Sequence, residues 1–143
     1  MAKEPVLAEL ALRCVELGVL MRQAIAEALL PSGITPEQHE LLVILASGLG
    51  SPQEISEASG RDKTTLSRVL ARATRAGLVI VERRADDRRR QTVRLTEMGT
   101  SKLAQTQRLL ERSAPKLFLA LSVKERRRLR KIVRKVRGGL ARV

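Results

Sequence analysis

Tyrosine and tryptophan are absent, and Phe118 is the sole aromatic residue among 143. Readers of single strands and RNA loops stack bases on aromatic rings, so this composition argues against a reader built on base stacking. One cysteine, Cys14, rules out an internal disulfide framework, and one histidine, His39, rules out most His-based metal sites. No metal and no cofactor is therefore expected. The chain also lacks a nucleophile–base pair, a metal cluster and a phosphate-cradling glycine loop, which argues against an enzyme. Lys3, Glu4, Glu9, Arg13 and Glu16 interrupt the N-terminal stretch, so neither a signal peptide nor a membrane span is expected. The chain reads as a soluble, cytoplasmic protein.

What is plentiful is positive charge: 28 Lys and Arg stand against 15 Asp and Glu, a net +13. The excess is uneven. Residues 1–60 hold 3 Lys/Arg against 8 Asp/Glu, residues 61–94 hold 11 against 4, and residues 95–143 hold 14 against 3. A basic block beside an acidic one points to a polyanionic partner, most often nucleic acid. The length and a hydrophobic fraction of 43% suit a single domain with its own core.

Apolar spacing places a long helix over residues 5–30, with Leu7, Leu10, Cys14, Leu17, Met21, Ile25 and Ala28 on one stripe. Thr35-Pro36-Glu37-Gln38 is a capping box with proline at the first helical position, and Leu41, Leu42, Ile44 and Leu45 form the buried face behind it. Ser51-Pro52-Gln53-Glu54 repeats the device and opens a short helix ending near Gly60. Asp62 caps a helix over 63–76, with Leu66, Val69, Leu70 and Ala73 facing inward. The short glycine-containing join between these two helices is a helix-turn-helix pattern. Strands are predicted over 78–83 and 91–95, with a charged tip between them, which makes the unit a winged helix. Thr96 caps a helix running to about Ser113, and Pro115 is expected to interrupt the next segment. Ser122-Val123-Lys124-Glu125 opens a last helix to about Arg137, with Gly138 and Gly139 ending it and Leu129, Ile132, Val133 and Val136 as its stripe.

These residues resemble the MarR family of bacterial transcription regulators, most closely over residues 35–99. Thr35-Pro36-Glu37-Gln38 is similar to the start of that family's second helix, and Asp62-Lys63-Thr64-Thr65-Leu66-Ser67-Arg68 to the start of its recognition helix. Ala76-Gly77-Leu78-Val79 resembles its helix–wing junction. Asp87-x-Arg89 followed by Leu95-Thr96-x-x-Gly99 matches its wing signature in residues and spacing. Ser59 and Arg61 stand where the family usually has apolar residues. The resemblance implies a mainly α fold, with a winged helix-turn-helix of three core helices and a two-stranded wing, and a dimerisation region made by the N- and C-terminal helices. The expected organisation is residues 1–33 and 98–143 for dimerisation and 34–97 for DNA, in one compact chain without a linker. It further implies a homodimer on a palindromic duplex operator, usually repressing until a small ligand or oxidant intervenes.

Recognition helices read base edges from their N-terminal half. The outward candidates are Lys63, Thr64, Thr65, Ser67, Arg68, Arg72 and Arg75. Arg68 is the best base reader, because a guanidinium bonds bidentately to guanine. Arg72 and Arg75, further along, suit phosphate. Arg84, Arg88, Arg89 and Arg90 load the wing tip with charge that a narrow minor groove attracts. The resemblance singles out Arg89 for insertion, with Asp87 orienting the tip through an arginine. Leu12, Arg13, Leu20, His39 and Val43 are loose candidates for an effector pocket at the junction of the two regions. For the basic last helix three readings stand side by side: pairing with the acidic groups Glu4, Glu9, Glu16 and Glu27, extra phosphate contacts, or a purely solvated face. Cys14 lies on the apolar stripe and is expected to act as a small hydrophobe rather than a redox sensor. Two other readings remain: a winged helix whose wings bind a protein, and, in another class, a small enzyme.

Overall fold

A computed structural model of the chain describes residues 5–87 and 90–142. In chain order it contains α1 (Pro5–Leu29), a 3-10 turn (Leu30–Ser32), α2 (Pro36–Ala46), α3 (Pro52–Ser59), α4 (Lys63–Arg75), β1 (Val79–Arg83), β2 (Gln91–Leu95), α5 (Glu97–Leu117) and α6 (Val123–Leu140). The fold is mainly helical, with a two-stranded antiparallel wing in the register Val79↔Leu95, Val81↔Val93 and Arg83↔Gln91.

The helix starts arise from local chemistry. The Thr35 hydroxyl accepts the Gln38 amide at 3.2 Å while the Gln38 side chain accepts the Thr35 amide at 3.0 Å. Ser51 with Glu54 and Ser122 with Glu125 close the same reciprocal box. At α4 the Asp62 carboxylate accepts both the amide and the hydroxyl of Thr65, each at 2.8 Å.

The helix ends depart from expectation. Helix α5 runs through Pro115 to Leu117. A proline costs one i−4 bond and one steric conflict, and here only two helical residues come after it, so the last turn absorbs the loss. Helix α6 continues through Gly138 and Gly139 to Leu140. Glycine lowers helix propensity by about 1 kcal/mol but imposes no turn, and neither residue adopts positive φ. Strand β1 starts at Val79 because Leu78 is engaged elsewhere: its amide donates to the Ala73 carbonyl and its carbonyl accepts the Thr96 amide.

The core lies inside the winged helix. Leu41, Leu42, Ile44 and Leu45 of α2 meet Ile55 of α3, Leu66 and Ala73 of α4, Leu78, Val79 and Val93 of the wing, and Leu103 of α5. Val69 and Leu70 only flank this cluster. Thr96 and Gly99 seal the wing onto α5. The Thr96 hydroxyl donates to the Gly77 carbonyl and accepts the Gly99 amide. Gly99 is itself buried, and a Cβ there would lie inside the van der Waals shell of the Leu78 carbonyl. The Leu-Thr-x-x-Gly signature is thus a structural latch. Among the described residues, no buried side-chain nitrogen or oxygen lacks a hydrogen-bond partner.

The outer helices are different. Leu29 at the end of α1 is fully buried, and Ser32 just after it is held from α5 by the Lys102 ammonium, which donates to its carbonyl at 2.8 Å. From Val6 to Leu20, however, every α1 residue is exposed, and α6 buries none of its residues. The first half of the α1 stripe and the α6 stripe therefore lack a cover among the described residues. Cys14 is exposed in the single chain for the same reason. The α1–α6 charge pairing is also absent among the described residues. Glu9 and Glu16 sit within one helical turn of Arg13 and pair with it instead. Glu4 lies outside the described residues.

Candidate nucleic-acid interface

The interface is built on the turn between α3 and α4. Gly60 takes φ 68°, a left-handed conformation that only glycine adopts without cost, and this turns the chain sharply after α3. Polar groups then hold the turn. The Ser56 hydroxyl donates to the Arg61 carbonyl at 2.6 Å, and the Arg61 amide donates to the Ser59 hydroxyl at 3.3 Å. The Arg61 guanidinium reaches Glu40 of α2 at 2.6 Å. Ser59 and Arg61 thus replace apolar packing with a bonded network. The cavity behind them is about 10 Å³, which leaves room for one water at most.

This turn presents the start of α4. Hydrogen bonds from the Thr65 amide and hydroxyl hold the Asp62 carboxyl below its ordinary range, so the cap stays anionic. Lys63, Thr64, Ser67, Arg68, Arg72 and Arg75 are exposed, and among the described residues Arg68, Arg72 and Arg75 form no ion pair. Thr65 is half-buried with its hydroxyl tied to Asp62, so it faces outward less than the sequence pattern implies.

In the wing, the Arg84 amide donates to the Arg90 carbonyl at 3.1 Å and the Arg90 amide to the Asp87 carbonyl at 3.0 Å. The Asp87 carboxylate lies 3.9 Å from the Arg90 guanidinium. Arg84 and Arg90 are exposed, whereas Arg94 is taken up by Glu82 at 2.8 Å. Arg88 and Arg89 lie outside the described residues.

These parts enclose one groove of about 1010 Å³ between the start of α3, the outer face of α4 and the base of the wing. Lys63 and Ser67 line it from α4, and Arg84 and Arg90 from the wing. Gln53, Gln91 and Thr92 also line it, and no sequence signal singled them out. Gln53 was visible only as a first-turn residue of α3. That β2 folds beside it depends on a tertiary bond, from the Val93 amide to the Gly50 carbonyl at 2.8 Å. Cations, amides and hydroxyls thus share a groove open to solvent with Pro52, Leu66 and Leu70, and Glu57 is the one carboxylate among its described lining residues. Such a surface suits phosphate and base edges. Among the described residues no group of three His, Cys, Asp or Glu is placed to hold a metal ion. No helix among them is long and apolar enough to cross a membrane.

The effector-pocket candidates are not gathered in either cavity. Leu12, Arg13 and Leu20 are exposed on α1, and Val43 is exposed on α2. His39 has a structural bond: its Nδ1 lies 2.9 Å from the Thr106 hydroxyl. That hydroxyl donates to the Leu103 carbonyl, so the imidazole supplies the Nδ1 proton. Burial pushes the His39 pKa down, against the opposing charge of Glu40, so the ring is neutral near pH 7.

The MarR family model matches residues 32–90, the segment from the end of the 3-10 turn to the wing tip. No curated protein sequence matches the chain significantly. Among solved structures, a mutant MarR from E. coli in complex with operator DNA is 24% identical, with a TM-score of 0.78 over 87% of this chain and 91% of that one. A MarR transcriptional regulator from Methanosarcina mazei Go1 is 22% identical, with a TM-score of 0.81 over 95% and 99%. An organohalide-sensing regulator in its 2,4-dichlorophenol-bound form is 17% identical, with a TM-score of 0.86 over 95% and 82%. Residues 32–90 thus match the MarR family model, and the chain shares the fold of solved MarR-family transcriptional regulators.

Proposed function

We propose that the protein is a homodimeric transcriptional regulator that binds a palindromic duplex operator and represses until a small molecule releases it. The observation that carries this reading is the groove shared by α3, α4 and the wing, with exposed cations on the α4 face beside it. In this reading Arg68 reads guanine from the major groove. Lys63, Thr64, Thr65 and Ser67 meet phosphate or a thymine methyl, and Arg72 and Arg75 meet phosphate. Arg84, Arg88, Arg89 and Arg90 serve the minor groove, with Asp87 orienting the tip.

The dimer is supported by apolar surface that one chain leaves open, from Val6 to Leu20 on α1 and from Ile132 to Leu140 on α6. Leu12, Arg13, Leu20, His39 and Val43 become walls of an effector pocket only once a second copy covers α1. The structures of similar fold bound to operator DNA and to 2,4-dichlorophenol support both halves of the proposal.

Selection of duplexes from a random pool, with footprinting of the winners, tests it. The expected result is a protected palindrome with half-sites about 10 bp apart or a multiple of that. Arg68→Ala is expected to weaken operator binding by about 1–3 kcal/mol and to relax preference at one base pair per half-site. A variant with unchanged affinity and preference overturns the assignment, as does affinity that stays flat between about 50 and 200 mM salt.

A further inference from the structure

Helix α6 carries nine Lys and Arg between Lys124 and Arg137 against a single acid, Glu125, which is engaged by the Ser122 cap. None of the nine forms an ion pair among the described residues. Two have partners, and both are backbone carbonyls: Arg126 donates to Phe118 at 3.2 Å and Arg137 to Ala58 at 2.8 Å. A helix turns about 100° per residue, so Leu129, Ile132, Val133, Val136 and Leu140 share one face. Arg127, Lys131, Arg134 and Lys135 lie on the opposite face, exposed and without partners among the described residues.

The Arg137 bond sets the location. Ala58 is in the last turn of α3, next to the turn that presents α4. The basic helix therefore ends beside the groove-bearing motif. From there α6 extends about 27 Å over its 18 residues.

Several acids of the chain are already engaged within it. Glu9 and Glu16 are paired with Arg13, Glu37 with Arg22, and Glu40 with Arg61. Glu54 closes its own capping box. Packing two α6 stripes together in a dimer brings like charges closer still, which an external polyanion relieves. With no aromatic residue on α6, the contact is to phosphates rather than to stacked bases.

We propose that the face of α6 carrying Arg127, Lys131, Arg134 and Lys135 binds the phosphate backbone of duplex DNA flanking the operator, without regard to sequence. This rests on the reading of the protein as a DNA-binding regulator.

The test uses the full-length protein and three duplexes: the selected site trimmed to its footprint, the same site extended by about 20 bp on each side, and a mixed-sequence duplex of the extended length. Affinity is measured across a salt series for wild type and for the combined variant Arg127→Gln, Lys131→Gln, Arg134→Gln, Lys135→Gln. These are exposed positions away from the apolar stripe, and helix content and oligomeric mass are checked in parallel. Wild type is expected to bind the extended site tighter than the trimmed one and with a steeper salt slope. The Gln variant keeps its affinity for the trimmed site, loses the gain from extension, and shows a slope lower by about 2–4. The pair Arg127→Lys, Arg134→Lys retains the wild-type slope. Equal slopes for wild type and the Gln variant on the extended and mixed duplexes overturn the proposal. So does polyglutamate competing as well as mixed duplex for the wild-type protein, which assigns the face to an acidic protein. Failure of selection to yield any preferred site overturns the reading of sequence-specific regulation instead, and the mixed duplex still reports on α6.

Discussion

Leu42 and Ile55 keep no solvent exposure, whereas Leu12 and Val15 on α1 keep 67% and 66% of theirs. The winged helix and the helices that flank it are comparably rich in Leu, Ile and Val, so composition does not separate them. Connectivity does. Helices α2, α3 and α4, the wing and the first half of α5 enclose one another within a single chain, and their polar groups are satisfied by capping boxes and by the Thr96–Gly99 latch. The first half of α1 and the length of α6 present stripes that nothing among the described residues covers. Burial at about 25 cal/mol per Å² stabilises the first region in a monomer but becomes available to the second only through another surface. Charge divides along another line: Arg61 and Arg94 have carboxylate partners in the scaffold, while Arg68, Arg72 and Arg75 on α4 and the cations of α6 form no ion pair among the described residues.

The sharpest way to break the closed region is Gly99→Ala. The added Cβ meets backbone, which cannot rotate away, so a loss of about 3 kcal/mol or more is expected, read as a lowered urea midpoint at fixed protein concentration. A wild-type midpoint would show that β1 and α5 separate easily and that the closed region is less tightly sealed than its burial implies.

The open region is probed by Leu10→Asp or Ile132→Asp. Each places a charge on an exposed apolar stripe, so in one chain it costs little. If a second copy covers the stripe, the variants become monomeric and lose the rise of Tm with protein concentration that the wild type is expected to show. Sedimentation and thermal melts at two concentrations check this. A wild-type mass for both variants would leave the stripes without the role assigned to them.

A smaller effect distinguishes the caps. Asp62→Ala is expected to lower the urea midpoint, and Asp62→Asn, which also caps, to lower it less. The hydrogen bonds from Thr65 lower the folded-state pKa of Asp62 below 3.8. Its contribution is therefore complete above about pH 4 and is lost as the pH falls through the lowered folded value. Urea melts between pH 7 and pH 3 are expected to show this loss in wild type and a shallower acid dependence in Asp62→Asn.

Much of the winged helix was legible in the sequence because its signals are local. A capping box spans four residues, and Thr35, Ser51 and Ser122 each close one where the pattern places it. The buried face of α2 matches its spacing residue for residue. Stop signals were less informative. Pro115 and Gly138 raise the cost of a helix without forbidding it, so whether the helix continues there depends on its surroundings. The groove was half legible. Its cations stood out by charge, but Gln53, Gln91 and Thr92 join it only because β2 bonds back to Gly50.

The sequence by itself determined the helix starts, the wing, the apolar faces and the asymmetry of charge, since each arises from residues within a turn or two of one another. Only the tertiary structure decided which groups spend their hydrogen bonds on the scaffold. His39 bonds Thr106 across 67 residues, Lys102 bonds Ser32 across 70, and Arg137 bonds Ala58 across 79. Such partners are chosen by the packing of whole helices, which no local pattern of side chains encodes. The same packing leaves the far face of α6 open to a partner outside the chain.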